Sequence, residues 1–514
     1  MNAEATPSGG RVPAPGKRRT YELPAKLSRP ALLGRLEEAG YPVESSGAST
    51  ETDVYFDTQA GHLYRKGLRL RRRALARGHV WQLVGAGSGP LESLTSGEGF
   101  PTEGPVHDEV TRRTKGNVLF AFLQIRFRQE RYSMTGPGGS RFDLLLYTGL
   151  RFTNTLSGEH KTHPPLATVR RMKGDPNESE YLGVFLRDGA GLRRVSGGLF
   201  PTGLKHLSIA PPGAPLPASL LVRGEDPMTV AGRKVLAQQL YRMRANTAGT
   251  IEDLDIEFLH DLRVASRRAR AALQLFRDIL GRRRCEPIRR ELKWVADVLG
   301  GVRDLDVFIP NLDTRYEAAL VNPEGRAWIT GAFREQRKKA LAELVEALQS
   351  RRFALLLQRM ERLAESPPPR MPRGNGALPS HSAGAALVEG AVKRVLKLAR
   401  KMGDAPDEEG LHRLRILFKR LRYTAEFFKS TLDRDPKKEL ALLVDVQDCL
   451  GEHQDAVVAM ERLSALALNP PGGESLPPGL LLEIGALIQA ERAVAQQRRD
   501  AFDGLWSKFR KAYF

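Results

Sequence analysis

Cysteine is almost absent from this 514-residue chain, which holds only Cys285 and Cys449. Two such distant thiols offer neither a disulfide framework nor the clustered spacing of a zinc site, and they fit a reducing cytoplasm. Long hydrophobic runs are missing too. No stretch approaches the roughly 18 apolar residues that a membrane-spanning helix needs, so no membrane partner is expected. The Gly-, Pro- and Ala-rich stretch from Met1 to Arg19 has no continuous apolar segment after its basic residues, so no signal peptide is expected. Aromatic residues make up 7% of the chain and do not gather into the clusters on which single-stranded nucleic acid stacks. No duplex-reading motif occurs either, so nucleic acid stays a secondary candidate supported by charge alone.

What is abundant is positive charge. Lys and Arg number 80 against 60 Asp and Glu, a formal charge of +20, and such a field concentrates anions at the surface. With 41% hydrophobic and 27% charged residues the composition is that of a folded chain, and its length exceeds what one core supports, so two or three domains are expected.

From Tyr21 to about Leu207 short alternating segments are separated by Gly-rich turns such as Gly85 to Gly89 and Gly136 to Gly139, which reads as strand. Pro211, Pro212, Pro215 and Pro217 form a helix-averse linker. After Pro227 the apolar residues take helical spacing, as in Leu262, Ala265, Ala269, Ala272, Leu273 and Phe276. A second break from Ser366 to Gly384 contains Pro367, Pro368, Pro369, Pro372 and Pro379. The expected division is a disordered tail over 1–17, a strand-rich domain over 18–208, a linker over 209–221 and a helical domain over 222–514. The helical domain has halves of about 222–365 and 383–514.

The halves are similar to each other. His260 is followed by Arg263, Arg267, Arg268 and Arg270, and His412 by Arg415, Lys419, Arg420 and Arg422 at the same offsets. Leu299-Gly300 with Arg303-Asp304 then matches Leu450-Gly451 with Gln454-Asp455 at nearly the same distance from the histidine. Two related helical bundles facing each other about a pseudo-twofold axis are the simplest reading.

On a helix these spacings place His260, Arg263, Arg267 and Arg270 on one face, and likewise His412, Arg415, Lys419 and Arg422. Charged helix faces are most often simply solvated, but the same pattern twice argues for a function. Like charges in a row repel, an anion relieves that cost, and guanidinium groups grip phosphate through paired hydrogen bonds. Histidine adds a donor that charges as pH falls. Leu262, Leu273, Leu414, Leu417 and Leu421 supply the apolar face and Trp294 reads as core. Arg263 and Arg415 are expected to be exposed and remote from the leucines.

The segments HDLRVASRRARAALQLF from His260, ELKWVADVLGGVRDLDVF from Glu291, LHRLRILFKRLRYTAEFF from Leu411 and LVDVQDCLGEHQDAVVAM from Leu443 resemble the CHAD domain, in the family's order. The resemblance implies two four-helix bundles around a basic groove, binding of inorganic polyphosphate, and association with polyphosphate granules in bacteria. Carried over residue by residue, it nominates His260, Arg263, Arg267, Arg270, His412, Arg415, Lys419 and Arg422, joined by Arg303 and His453.

The segment DVYFDTQAGHLYRKGLRLRRR from Asp53 resembles the CYTH or triphosphate-tunnel fold, an antiparallel β-barrel. The whole chain is then an α+β multidomain protein, a barrel followed by an all-α domain of two pseudo-symmetric four-helix bundles. Alternation puts Arg69, Arg71 and Arg73 on one strand face and Leu68 and Leu70 on the other. The family's E-x-E-x-K signature appears as Glu22, Pro24 and Lys26, and its W-x-L-T-L-K strand as Trp81, Leu83 and Val84 with no lysine. Asp143 persists, but Tyr147 replaces a second acid, and the final acidic strand aligns with Gly183, Phe185 and Arg187. Hydrolysis in this family depends on carboxylates holding divalent metal ions. The departures imply a degenerate, non-catalytic domain without metal or cofactor, whose Lys26, Arg69, Arg71, Arg73, Arg126 and Arg128 retain anion binding. The rival expectation is a metal-dependent triphosphatase fed with polyphosphate by the helical domain.

Overall fold

The computed structural model describes residues 18–85, 90–367, 374–402, 407–431, 437–473 and 475–513. The tail expected over 1–17, residues 86–89 of the first Gly-rich turn, and Pro368, Pro369 and Pro372 of the second break lie outside the described residues. The chain divides into two compact units, Met1–Pro215 and Leu216–Phe514.

The first unit runs β1 (Arg19–Glu22), α1 (Arg29–Glu38), β2 (Val43–Asp57), β3 (Arg69–Ala74), β4 (His79–Val84), β5 (Leu91–Thr95), α2 (Pro105–Thr114), β6 (Phe120–Thr135), β7 (Arg141–Thr153), β8 (His160–His163), β9 (Leu166–Lys173), α3 (Pro176–Val184), β10 (Arg193–Val195) and α4 (Leu199–Leu207). The strands form one ten-stranded antiparallel sheet in the order β10-β1-β9-β7-β6-β2-β3-β4-β5, with β8 against β7. The sheet is barrel-like without closing, since β10 and β5 stand at its two ends among the described residues.

The turn between β6 and β7 falls at Gly136–Gly139. Gly139 takes a φ of 80° that a side chain would resist, and the Glu178 carboxylate accepts from the Gly138 and Ser140 amides. Alternation holds along β3. Leu70 is buried beside Trp81 in a core with Leu63, Leu83, Val106 and Val110, against which Leu68 packs, while Arg71 and Arg73 turn to the opposite face, where both meet Asp53. Two sequence alignments do not survive. Gly183 lies in α3, and Phe185 and Arg187 in the π-helical turn that follows it, so this segment is no acidic strand. The break at Gly174-Asp175-Pro176 explains the error, because Asp175 caps the helix and Pro176 opens it. Likewise β1 ends at Glu22, and Pro24 leads into a turn that holds Lys26.

The second unit is helical: α5 (Met228–Ile251), α6 (Ile256–Leu275), α7 (Arg277–Leu280), α8 (Arg282–Ala318), α9 (Pro323–Gln349), α10 (Arg351–Glu365), α11 (Ser380–Met402), α12 (Glu408–Phe428), α13 (Lys437–Leu468) and α14 (Pro478–Tyr513). One core joins α5, α6, α8, α9 and α10 around Leu262, Leu273 and Phe276, and another joins α11 to α14 around Leu414, Phe418 and Leu421. A third is built jointly by both halves, from Leu305, Phe308 and Leu312 of α8 and Phe333 of α9 with Leu463 of α13 and Leu487 of α14.

The duplication extends further than the basic motifs. Asp255 caps α6 and Asp407 caps α12, each through its side chain. A Cβ on Gly232 would collide with the Phe276 ring at 2.8 Å, and one on Gly384 with the Phe428 ring at 2.6 Å. Each of these pairs is separated by the same number of residues as His260 and His412. The halves also meet reciprocally. Met228 N donates to Leu378 O at 3.0 Å and Ser380 N to Asp226 O at 2.9 Å, flanking a bridge between Pro227 and Pro379. The Phe276 and Phe428 rings lie 6.0 Å apart. A contact in which each partner is the repeat-mate of the other is the mark of a local twofold relation.

Candidate functional site

Helices α6 and α12 carry the two basic stripes, and their apolar faces fix how they sit. Leu262, Leu273, Leu414 and Leu421 are buried and Leu417 is partly so, which turns the intervening cations away from the bundle cores. Trp294 departs from expectation. It is half-buried at the edge of the first core, with the Arg352 guanidinium 4.0 Å above its ring. Arg263 and Arg415 also differ from the exposed positions expected of them. Both are half-buried, the Arg263 side chain 27% exposed, because each lies between its own helix and the acid-bearing helix of the same half.

The stripes share one electrostatic field. Burial lowers the affinity of Arg263 and of Arg415 for its proton, and Arg267 and Asp304 act on both. The exchange is reciprocal: Asp455 of α13 attracts Arg263 of α6, and Asp304 of α8 attracts Arg415 of α12. Lys419 lies in the same field. Burial first, then the charges of Arg415, Arg267 and Arg263, push its amine down to about 7, with Asp455 in opposition. Burial and the neighbouring Asp304 raise the Asp455 carboxyl against the pull of Arg415.

Counter-ions are scarce. Arg263 pairs with Asp304 at 3.2 Å, and Arg462, which the sequence reading missed, reaches the other oxygen of Asp304 at 3.8 Å. Among the described residues Arg267, Arg415 and Lys419 form no ion pair, and Arg303 Nη1 and Arg415 Nε are buried without a hydrogen-bond partner. Arg270 is half-buried, its charge disfavoured by desolvation and drawn by Asp297. Arg422 is differently placed. It lies 3.2 Å from Glu426, which Arg268 also engages at 2.5 Å, and both guanidinium groups sit over the Tyr423 ring.

The histidines diverge because their neighbours do. Arg303 and Gln454 are repeat-mates. Burial, then Arg303, lowers the proton affinity of His260, whereas His412 Nδ1 lies 3.1 Å from the Gln454 side-chain oxygen. His453 is buried and lines a cleft of about 260 Å³ together with His412, Arg415 and Glu409.

The basic residues of the first unit are held otherwise. Arg71 donates to Asp53 at 2.9 Å and to Gln82 at 2.6 Å, while Arg73 grips Asp53 at 2.6 and 2.8 Å and Glu51 at 2.5 Å. Arg128 lies 3.2 Å from Glu130, a buried acid that also accepts from Arg29 with both oxygens at 2.8 Å and from Tyr132 at 2.9 Å. Burial opposes its charge, but these donors hold Glu130 below the ordinary carboxylate range. Arg69 sits 5.0 Å from the Phe200 ring centre, and Arg126 and Lys26 are exposed. Glu22 pairs with Arg193 and lies 3.6 Å from His163.

The sequence reading overlooked Glu51, Asp53 and Glu130. The pairing of Asp53 with Arg73 across β2 and β3 was the signal that could have revealed the first two. These acids fit a divalent ion poorly, since each is already engaged by arginine, and no group of three or more His, Cys, Asp or Glu among the described residues could hold a metal. No helix among the described residues is long and apolar enough to cross a membrane.

Among known protein families, the model of the CHAD domain matches residues 234–464. An uncharacterized protein of Mycobacterium tuberculosis is 26% identical over 495 residues, which cover 91% of this chain and 92% of that one. Among solved structures, PptA from Streptomyces chartreusis matches 55% of this chain and all of its own at 21% identity and a TM-score of 0.45. The CHAD domain of the plant Ricinus communis matches 57% of this chain and 96% of its own at 25% identity and the same TM-score. HpAC1 from Hippeastrum, a putative adenylyl cyclase described as having a dominant triphosphatase activity, matches 38% of this chain and 97% of its own at 12% identity and a TM-score of 0.26.

Proposed function

We propose that the CHAD domain binds inorganic polyphosphate or a similar polyanion in a groove between α6 and α12. Arg263, Arg267, Arg270, Arg303, Arg415 and Lys419 supply the charge, His260 and His412 add donors at the edge, and Arg422 and His453 play lesser parts. The observation that carries this reading is the crowding of cations from both repeats into one field with too few anions. Half-buried unpaired charge is costly, and a chain of phosphates offers closely spaced oxygens that offset the cost. The reading extends the domain to residues 222–514 and treats 209–221 as a linker from a sheet domain over 18–208. Docking on polyphosphate granules is the cellular role that follows from it.

The sheet domain in this proposal is non-hydrolytic, because Glu51, Asp53 and Glu130 neutralise its own arginines. Titrating the full chain with polyphosphate of defined length tests the first reading, and absence of saturable binding would dismiss it. Phosphate release from tripolyphosphate with magnesium or manganese tests the second. Turnover abolished by Asp53→Asn or Glu130→Gln would make the sheet domain an enzyme instead.

A further inference from the structure

We infer that the cleft beside Trp294 is a binding site for a short aliphatic polyamine, a chain of ammonium groups joined by methylene spans. The site uses none of the residues of the proposed anion groove and does not depend on that reading.

The cleft measures about 520 Å³ and lies between α8 and α9, with Trp294, Val298 and Gly301 on one wall and Ala340, Glu343 and Glu346 on the other. That volume falls within the range of roughly 300–1,000 Å³ typical of small-molecule sites. Gly301 keeps it open, since an added Cβ there would meet nothing nearer than Ala340 at 3.9 Å. The other repeat carries bulk and charge at the same place. By the register of Leu299-Gly300 and Leu450-Gly451, the mate of Gly301 is Glu452, which pairs with Arg498 of α14, and the mate of Trp294 is Asp445.

Three features set the chemistry of the occupant. The indole already takes a cation: the Arg352 guanidinium sits 4.0 Å from the ring centre, tied to Glu291 at 2.6 Å, as the negative face of an aromatic ring favours. The acids of the cleft, by contrast, have no cation of their own. Asp297, Glu343 and Glu346 form no ion pair among the described residues, in a chain whose formal charge is +20. Nor do these acids converge on a point. No group of three or more His, Cys, Asp or Glu among the described residues could hold a metal ion, so the three carboxylates are spread too far for a single ion. Glu343 and Glu346 stand one turn apart on α9 and Asp297 on α8, while Val298, Ala340 and Ala347 give the same cleft an apolar lining. Separate ammonium groups on a methylene stem match that pattern, each charge meeting an acid and the stem covering the apolar wall. The chain's net positive field opposes a polyamine, so saturable binding has to come from this local gathering of acids.

Equilibrium dialysis of radiolabelled spermidine against the full-length protein, with no polyphosphate present, tests the inference. A single saturable site is expected. Gly301→Met keeps every acid, suits a helix and fills the cleft, so it should abolish binding. Glu343→Gln combined with Glu346→Gln should weaken binding about tenfold or more, because two charge partners are lost. Arg352→Gln takes the competing cation off the ring and should tighten binding several-fold. Melting curves like the parent's confirm that each variant is folded. Absence of saturable binding, or undiminished binding in the double glutamine variant, would overturn the inference. So would a folded Gly301→Met that binds as well as the parent, since surface acids would then suffice, or an Arg352→Gln that binds more weakly.

Discussion

The strand Arg69–Ala74 and the helix Ile256–Leu275 are both dense in arginine, yet they hold their charge in opposite ways. In the sheet, Arg71 and Arg73 close on Asp53, whose side chain is fully buried, and the nearest distances are those of strong charge-assisted hydrogen bonds. In the helical unit Arg267, Arg415 and Lys419 have no such partner among the described residues. The first arrangement is a finished structural network, and adding an anion would displace acids that already fit. The second leaves cations without acids beside them, a cost that an arriving anion would offset. Net charge does not separate the two. What separates them is whether the acids lie within reach.

The largest effect that could break this contrast is that of salt. If about six phosphates are neutralised by the groove, a fourfold rise in salt weakens polyphosphate binding on the order of a thousandfold, because condensed counter-ions are released. Affinity measured across that range, and found flat, would place the groove with the sheet as a satisfied network. Next in size is Asp53→Ala. Removing one partner of a buried ion pair costs about 3–5 kcal/mol, so denaturant unfolding of the sheet unit should shift by that amount while polyphosphate affinity stays unchanged. Loss of affinity in this variant would show that the sheet arginines take part.

Within the helical unit, Arg267→Glu and Arg415→Glu should each weaken binding of the same short polyphosphate about 30-fold or more, the cost of a reversed charge at a desolvated site. Arg422→Ala should cost only a few-fold, since Glu426 already holds that guanidinium. Full affinity for the short chain in both charge-reversal variants would mean two separate surfaces rather than one groove. Arg415 is half-buried, so a melting curve must accompany each variant.

The smallest effect is in protons. The free Lys419 amine is depressed to about 7, and a bound phosphate restores its charge. Binding between pH 7 and 8 therefore takes up from about half to most of a proton, and affinity falls several-fold across that one pH unit. Calorimetry in two buffers of different ionisation enthalpy should register the uptake, and Lys419→Met should abolish it. In the free protein the same depression makes the helical unit more stable as pH rises from 7, because the unfolded chain binds the proton that the folded one gives up.

The helical site was legible because it is written twice. His260 and His412 with their following cations gave the stripe, and the Gly300 and Gly451 segments gave the register of the acid-bearing helices. Legibility failed where a contact depends on bulk rather than pattern. Gly232 and Gly384 carry as much of the symmetry as the histidines, but a glycine beneath a phenylalanine ring has no sequence period. Arg263 and Arg415 were taken for exposed because helical periodicity reports a face and not what packs beside it. In the sheet, alternation placed Arg71 and Arg73 correctly. Their neutralisation by Asp53 was missed because it is set by cross-strand register, and the supposed strand around Phe185 was lost to a helix opened by Asp175 and Pro176.

The reciprocal seam through Pro227 and Pro379, Phe276 and Phe428 has an evolutionary reading. Surfaces that meet repeat-mate to repeat-mate are self-complementary, as in a closed symmetric dimer. A polypeptide of one repeat alone, about residues 222–365, carries Asp226, Met228 and Phe276 and could seat a second copy of itself along the same line. Two repeats encoded separately within one chain can differ from each other, as Arg303 in one and Gln454 at the equivalent place in the other do. A founding homodimer had to use one side chain at both places. The present helical unit is unlike at its two repeats, so in the proposed groove a linear polyanion would have a preferred direction.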